Sequence, residues 1–330
     1  MRDDNPVLVR RTRGGHVESL HRGVWVRCRA DGTVIEGAGD PDQLVWARSS
    51  VKGLQAVALV ETGALDAAAE ASDGDPTWAD RALALACSSH SGEPQHLALA
   101  AEVLAAIGLD EAALQCGPAT SVGAGVDAPA RPLAHNCSGK HAGFLVLAAH
   151  LGADVDGYLD PGGPAQQAVL ERVERLVGGR LTLGIDGCSA PTIGLPLSGL
   201  ATGIARLTAG DAVLPHAEAC GRITAACVHH PRLVGGTRDR FDSDLMAASG
   251  GDVFAKVGAD GVLVVAPVDA GEALAIKIDD GHERGNHLLV LELLRRWGWL
   301  DGGAMSELGA WNDPALRNAA GAIVGRVELA

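Results

Sequence analysis

Strand-like segments fall at the two ends of this chain and helical ones between them, and no other sequence feature limits its fold as much. Near the start, Val7–Arg11, Val17–His21 and Val24–Cys28 are short branched-apolar runs parted by Gly14-Gly15 and Arg22-Gly23. Asp31-Gly32 is a hairpin signal leading into Val34-Ile35-Glu36. Strand character returns after residue 250 in Val253–Lys256, Val262–Pro267 and Leu274–Ile278, divided by Gly258-Ala259-Asp260-Gly261 and by Ala270-Gly271. Between them, Leu65–Ala71, Trp78–Cys87, Pro94–Ile107, Asp110–Cys116, Gly143–Leu151, Gly163–Val177, Ser198–Leu207 and Asp211–Val228 carry apolar residues at helical spacing. Val122–Ala130 reads as a loop, His287–Trp297 as an amphipathic helix and Gly309–Ala330 as a mixed tail.

The expected class is therefore α/β of the α+β kind, with a mainly antiparallel sheet assembled from both ends of the chain and a helical lobe between. Residues 1–330 form one two-lobed unit, with the sheet lobe at about 1–60 and 235–330 and the helical lobe at about 61–234. Aromatics are only 3% and glycines number 44, so the core is built from small and branched aliphatics. A formal charge of −14 argues against nucleic acid and anionic membranes as partners. Met1-Arg2-Asp3-Asp4-Asn5 lacks the apolar run of a signal peptide, and a cytoplasmic location is expected. The seven cysteines are irregularly spaced, which suggests reduced thiols. Cys28, Cys87, Cys116, Cys220 and Cys227 read as small buried hydrophobes.

Of 27 basic residues only four are lysine: Lys52, Lys140, Lys256 and Lys277. Arginine serves wherever charge alone is needed, and it cannot lose its proton. The retained lysines are thus candidates for places where an amine acts as base or ligand. Lys52 stands in Arg48-Ser49-Ser50-Val51-Lys52, a Ser-x-x-Lys step opening an apolar segment that runs towards Thr62. On one helical turn Ser49 and Lys52 share a face, so a neutral amine can take the hydroxyl proton. Neutrality requires a lowered pKa, through burial or a nearby cation. Lys256, in Ala255-Lys256-Val257-Gly258, supplies such a cation; a Ser-x-x-Lys helix start with a Lys-x-Gly strand edge is the pairing of penicillin-recognising serine hydrolases.

Three further polar runs follow apolar ones. Cys87-Ser88-Ser89-His90-Ser91-Gly92-Glu93 offers Ser89 as a second hydroxyl, against the plainer reading of a helix end or turn. In His135-Asn136-Cys137-Ser138-Gly139-Lys140-His141, Cys137, Lys140 and His141 stand at i, i+3 and i+4. Ile185-Asp186-Gly187-Cys188-Ser189-Ala190-Pro191 adds a second thiol on a turn. Two thiolates and one nitrogen suit zinc with an open fourth position. On chemistry alone the nitrogen is His141, oriented by Asp186; two buried cysteines beside polar loops are the alternative.

These runs, with Arg13-Gly14-Gly15-His16-Val17-Glu18-Ser19 and the continuation Ala259-Asp260-Gly261, together resemble the L-asparaginase II family of the Rhizobium etli type. They span nearly the whole chain in the expected order. That family is distinct from the threonine-nucleophile bacterial asparaginases. The resemblance implies a serine β-lactamase-like fold, a homodimer, and two Ser–Lys pairs, Ser49 with Lys52 and Ser89 with Lys256. It also implies zinc held by Cys137, Lys140 and Cys188 with water, which replaces His141 by Lys140. Lys277 is the rival for the role of Lys256. Ser50 stands where the family pattern has alanine, and its hydroxyl is expected to turn away from Lys52.

The expected activity is hydrolysis of L-asparagine to L-aspartate and ammonia. Lys52 would deprotonate Ser49, which attacks the side-chain amide to give an acyl-enzyme. Ser89 and Lys256 would relay protons, backbone N–H groups at the helix start would hold the oxyanion, and zinc would position the substrate. Arg48, His135 and Asp186 are candidate substrate contacts. Rival readings are a glutaminase or another β-lactamase-like amide hydrolase, and a zinc-stabilised protein that binds an amino acid without catalysis.

Overall fold

The computed structural model describes residues 5–72, 75–122, 128–210, 214, 216–283 and 286–330. Residues 1–4, part of the expected loop (123–127) and part of the expected helix Asp211–Val228 (211–213 and 215) lie outside them. In chain order β1 (Val7–Arg13), β2 (His16–Arg29), β3 (Val34–Ala38) and β4 (Leu44–Trp46) lead to a 3-10 turn at Arg48–Val51 and helix α1 (Lys52–Glu61). Helices α2 (Ala64–Glu70), α3 (Trp78–Ala86), α4 (Pro94–Ala105), α5 (Ser138–His150) and α6 (Pro164–Val177) come next. Strands β5 (Thr182–Ile185) and β6 (Pro191–Pro196) precede α7 (Leu197–Thr208), α8 (Ala217–His229), α9 (Pro231–Val234) and α10 (Phe241–Ala248). The chain closes with β7 (Val253–Gly258), β8 (Val262–Pro267), β9 (Glu272–Ile278), α11 (Asn286–Trp297), α12 (Gly302–Glu307), β10 (Ala315–Arg317) and β11 (Ile323–Leu329).

The main sheet is antiparallel in every pairing, in the order β10-β11-β1-β2-β9-β8-β7 with β3 also on β2. N-terminal β1 and β2 thus lie between C-terminal β11 and β9, as a sheet built from both chain ends requires. One face of β2 presents Val24, Val26 and Cys28, all fully buried, and α7 lies against β2, β8 and β9 with Leu200, Ile204 and Leu207 inward. Burying each such aliphatic side chain is worth about 1.5–3 kcal/mol. On the other face Trp25 meets Trp297 of α11, with ring centroids 5.9 Å apart. Strands β7, β8 and β9 are buried along nearly their whole length, so they read as nearly continuous apolar runs.

The structure departs from the sequence expectation in four places. Arg22-Gly23 is not a turn: Arg22 pairs with Val7 and Gly23 with Ile278, and partners on both edges keep β2 extended through it. Asp110–Cys116 yields only a 3-10 turn at Glu111–Ala113, which Asp110 caps through its side chain. Helix α5 starts at Ser138, five residues before the expected Gly143, because Cys137 to His141 already form its cap and first turn. A second, three-stranded sheet, β4-β6-β5, lies partly within the span expected to be helical. Its strands are only three to six residues long, and β5 and β6 contain Gly or Pro, which hides them from a pattern based on runs.

Candidate active site

Three backbone features bring the polar runs together. The first is the 3-10 turn entering α1. Ala47 N–H donates to Ile193 O at 2.9 Å, which ties the turn to β6. Arg48 holds φ at +51°, a left-handed conformation that costs a non-glycine residue on the order of 1 kcal/mol. Asp186 pins its guanidinium at 2.9 Å, and Asp260 does so as well. Ser50 turns its hydroxyl back onto Ala47 O at 2.7 Å.

The second feature is the end of β7. A Cβ on Gly258 would lie 2.9 Å from Ala47 O and 3.3 Å from Ser50 N, so only glycine lets the strand edge approach the Ser49 turn this closely. The third is the crossing of α5 on α3. A Cβ on Gly139 would lie 2.3 Å from Leu85 O, and this close approach sets Cys137 and Lys140 against the segment that follows α3. In that segment Ser89 N donates to Val234 O and Ser91 N to Gly235 O.

A cavity of about 560 Å³ opens where these elements meet, with Ser49, Ser89, Arg240 and the Val257-Gly258-Ala259 edge in its lining. Lys52 lies beneath it, only 2% exposed. Its Nζ donates to Ser89 Oγ at 3.1 Å, to Cys137 Sγ at 3.3 Å and to Ser88 O. None of its bonds goes to Ser49, whose side chain has no hydrogen bond among the described residues. Burial lowers the pKa of Lys52; the Cys137 thiol opposes that shift and the Lys140 amine reinforces it.

Lys256 is 1% exposed but belongs to a different pair. Its Nζ donates to Asp242 Oδ2 at 3.2 Å and to Val257 O at 2.9 Å, not to Ser89. Burial brings its pKa down to about 8, with Asp242 resisting that fall and Arg240 and Lys52 adding to it. Lys277, half-buried, donates to Ile278 O at 2.8 Å and to Asp260 O. It shares a separate cleft of about 420 Å³ with Arg48 and Asp186. The structure therefore binds Arg48 and Asp186 to each other, beside the Ser49 turn. His135 accepts Cys137 N–H at 3.0 Å through Nδ1 and lies outside the cavity lining.

Beside Lys52 lies a buried patch of two thiols and a second amine. Lys140 Nζ is 3.3 Å from Cys188 Sγ, and Cys188 hydrogen-bonds Cys137. The bond from Cys188, then the Lys52 and Lys140 charges, pull the Cys137 thiol pKa down. The same bond and burial push Cys188 up. His141 Nδ1 contacts Tyr158 OH at 2.6 Å, while its Nε2 is buried with no partner among the described residues. Among the described residues no group of three or more His, Cys, Asp or Glu side chains is placed to hold a metal ion.

Sequence reasoning missed Arg240 and Asp242. Arg240 Nη1 donates to Ser89 O, to Gly235 O at 3.2 Å and to Ser91 Oγ at 3.3 Å. Both stand in Arg238-Asp239-Arg240-Phe241-Asp242, a run that reads as a solvated helix start. It also missed the aromatic wall of the cavity, where His287 stacks on Phe241 at 4.3 Å with Trp311 edge-on.

Helical and sheet layers, a buried lysine on a serine hydroxyl and a cavity over both define the class, a serine–lysine protein of mixed α+β build. The sequence profile of the L-asparaginase II family matches residues 9–329, and the chain belongs to that family. No curated protein matches it. Among solved structures it is similar to Mglu in its native form, at 14% identity and a TM-score of 0.49, over 85% of this chain and 66% of that one. A β-lactamase from Mycobacterium bovis is similar at 15% identity and a TM-score of 0.42, over 88% and 95% of the two chains. A Bacillus subtilis glutaminase in covalent complex with 5-oxo-L-norleucine is similar at 15% identity and a TM-score of 0.40, over 84% and 88%. The chain spans 62–66% of the length of the first three Mglu structures. Among the described residues no helix is long and apolar enough to cross a membrane.

Proposed function

We propose that this member of an amidohydrolase family hydrolyses the side-chain amide of L-asparagine to L-aspartate and ammonia. The observation that carries the reading is the buried Lys52 amine, its proton affinity lowered, 3.1 Å from a serine hydroxyl at the floor of a cavity. Ser49, one helical turn before Lys52 and in the same lining, attacks the amide carbon, and Lys52 takes its proton. Ser89 hands that proton to the departing ammonia, and water then resolves the ester. Lys256 adds positive charge, and backbone N–H groups of the 3-10 turn face the oxyanion.

The Lys52–Ser89 bond favours a second reading, in which Ser89 is the nucleophile. A diazoketone analogue of asparagine discriminates, because its label would be found by mass spectrometry on the peptide of Ser49 or that of Ser89. Ser49→Ala is expected to lower ammonia release about 10³-fold or more with the circular-dichroism spectrum unchanged. Wild-type turnover in that variant would remove Ser49 from the mechanism. Glutamine differs by one methylene, so competition between the two amides sets the preference.

The donor set at Cys137, Lys140 and Cys188 suits zinc in kind: two sulfurs and an amine, all buried, with Lys140 Nζ 3.3 Å from Cys188 Sγ and Cys137 Sγ 3.3 Å from Lys52 Nζ. The Tyr158 hydroxyl accepts from Gln115 N at 2.8 Å and can donate to His141 Nδ1, which leaves the His141 proton on Nε2 and supports Lys140 as the third ligand. Bound there, zinc would supply a positive charge and a coordination site for a substrate oxygen. Elemental analysis tests this: Cys188→Ala protein is expected to lose its zinc, and retention of a full equivalent would exclude that ligand. Homodimer assembly is proposed on the family resemblance alone, and sedimentation velocity checks it.

A further inference from the structure

Asp242 is fully buried and Lys256 is 1% exposed, yet neither reaches solvent or takes part in the Lys52 network of hydrogen bonds. Taking a carboxylate and an ammonium out of water costs several kcal/mol per ion, so an isolated buried pair is a poor device for stability alone. Here both carboxylate oxygens are engaged. Oδ2 accepts from Lys256 Nζ at 3.2 Å and from Val257 N at 3.3 Å, while Oδ1 accepts from Ser243 N at 3.1 Å and lies 3.6 Å from Arg240 Nη2. One carboxylate thus grips α10, the Arg240 segment and the end of β7.

What it holds is the strand edge that forms part of the cavity. Val257 follows Lys256, and Gly258 is the residue pressed against Ala47 O and Ser50 N. We infer that Asp242 is a positioning residue: it holds Lys256 as an ammonium at neutral pH and fixes the β7 edge at the width the Ser49 turn requires. Lys256 then acts as a fixed charge, and the transferable proton belongs to Lys52. The role of that charge in hydrolysis rests on the function proposed above; the clamp itself does not. The charged and titratable groups facing the pair are Arg240 from its own loop, Lys52 from α1, Cys227 from α8 and His287 from α11.

With only four lysines, the protein is suited to a direct test. Protein labelled with ¹³C at lysine Cε gives four signals, and loss of one in Lys256→Met assigns it. In wild-type protein the Lys256 signal should be that of an ammonium at pH 7. In Asp242→Asn its midpoint should fall by about one pH unit or more, since the opposing charge is gone. The alkaline limb of kcat against pH should move with it, so that the loss of kcat is larger at about pH 8 than at about pH 6. A wild-type Lys256 that is neutral at pH 7 overturns the inference without recourse to any variant, even if Asp242→Asn fails to fold. So does an Asp242→Asn midpoint equal to wild type, or a loss of kcat that is equal at every pH. A shifted lysine midpoint in a protein that releases no ammonia from asparagine would leave the clamp standing and remove the proposed activity.

Discussion

At Lys52 an amine is held out of water against a hydroxyl and a thiol, and that environment decides what the side chain can do. Arginine in its place keeps the charge and loses the ability to give it up. Lys52→Arg is therefore expected to lower ammonia release about 10²- to 10⁴-fold, with Lys52→Met as the variant that spares the packing. A stopped assay with matched melting curves reads both, and an arginine variant within threefold of wild type would show that Lys52 is not the base. The arginine excess in the sequence already singled out this amine. Lys52, Lys140 and Lys256 are 2%, 4% and 1% exposed, so three of the four positions that kept lysine are ones the fold removes from water. The partners were not legible. Nothing in a run of alternating Arg and Asp says that Asp242 is the member that goes inside, because its burial depends on a strand that follows it in sequence but pairs with it only in space. The same limit explains the Ser–Lys assignment: spacing places Ser49 near Lys52, while the crossing of α5 on α3 turns the amine towards Ser89.

Among the elements, the end of β7 and the 3-10 turn before α1 are coupled through Gly258. Gly258→Ala would drive a methyl group into Ala47 O, and the strand edge must move away from Ser49 to relieve it. The expected outcome is a loss of about 1–3 kcal/mol in urea unfolding. A rise in KM should accompany a fall in kcat, since the cavity changes shape as well as stability. Unchanged kinetics would show that the edge is not part of the working cavity. Strands β7, β8 and β9 were legible because they are long, branched and bounded by glycine turns. Strands β4, β5 and β6 were not, at three to six residues each and with glycine or proline interrupting β5 and β6, although β6 is what anchors the turn. The Lys-x-Gly pattern was visible in the sequence; its reason, a contact with the backbone of another element, was not.

In the whole molecule, burial sets a characteristic response to alkali. It pushes the Cys28 thiol up to about 11 and the Cys220 thiol up to about 12, against 9.0 for an unburied thiol. Above pH 9 the unfolded chain sheds these protons first, so their contribution to stability is full below 9 and is lost as pH rises towards 11–12. Urea midpoints measured from pH 7 to 10.5 should decline over that window, and Cys220→Ala should flatten part of the decline. A constant midpoint would show that these thiols are not sealed from solvent. The expected order of strands, helices and strands was sufficient for the architecture because few sheets can be assembled from two distant ends. In that arrangement β1 is flanked by β2 and β11, the earliest strands joined to the latest. While the polypeptide is being synthesised, β1 can find β2 but must wait for residues 323–329 to leave the ribosome, an interval of tens of seconds at ordinary elongation rates. The completed sheet thus waits on β11, and a nascent chain stalled before that strand would expose an open β edge to chaperones.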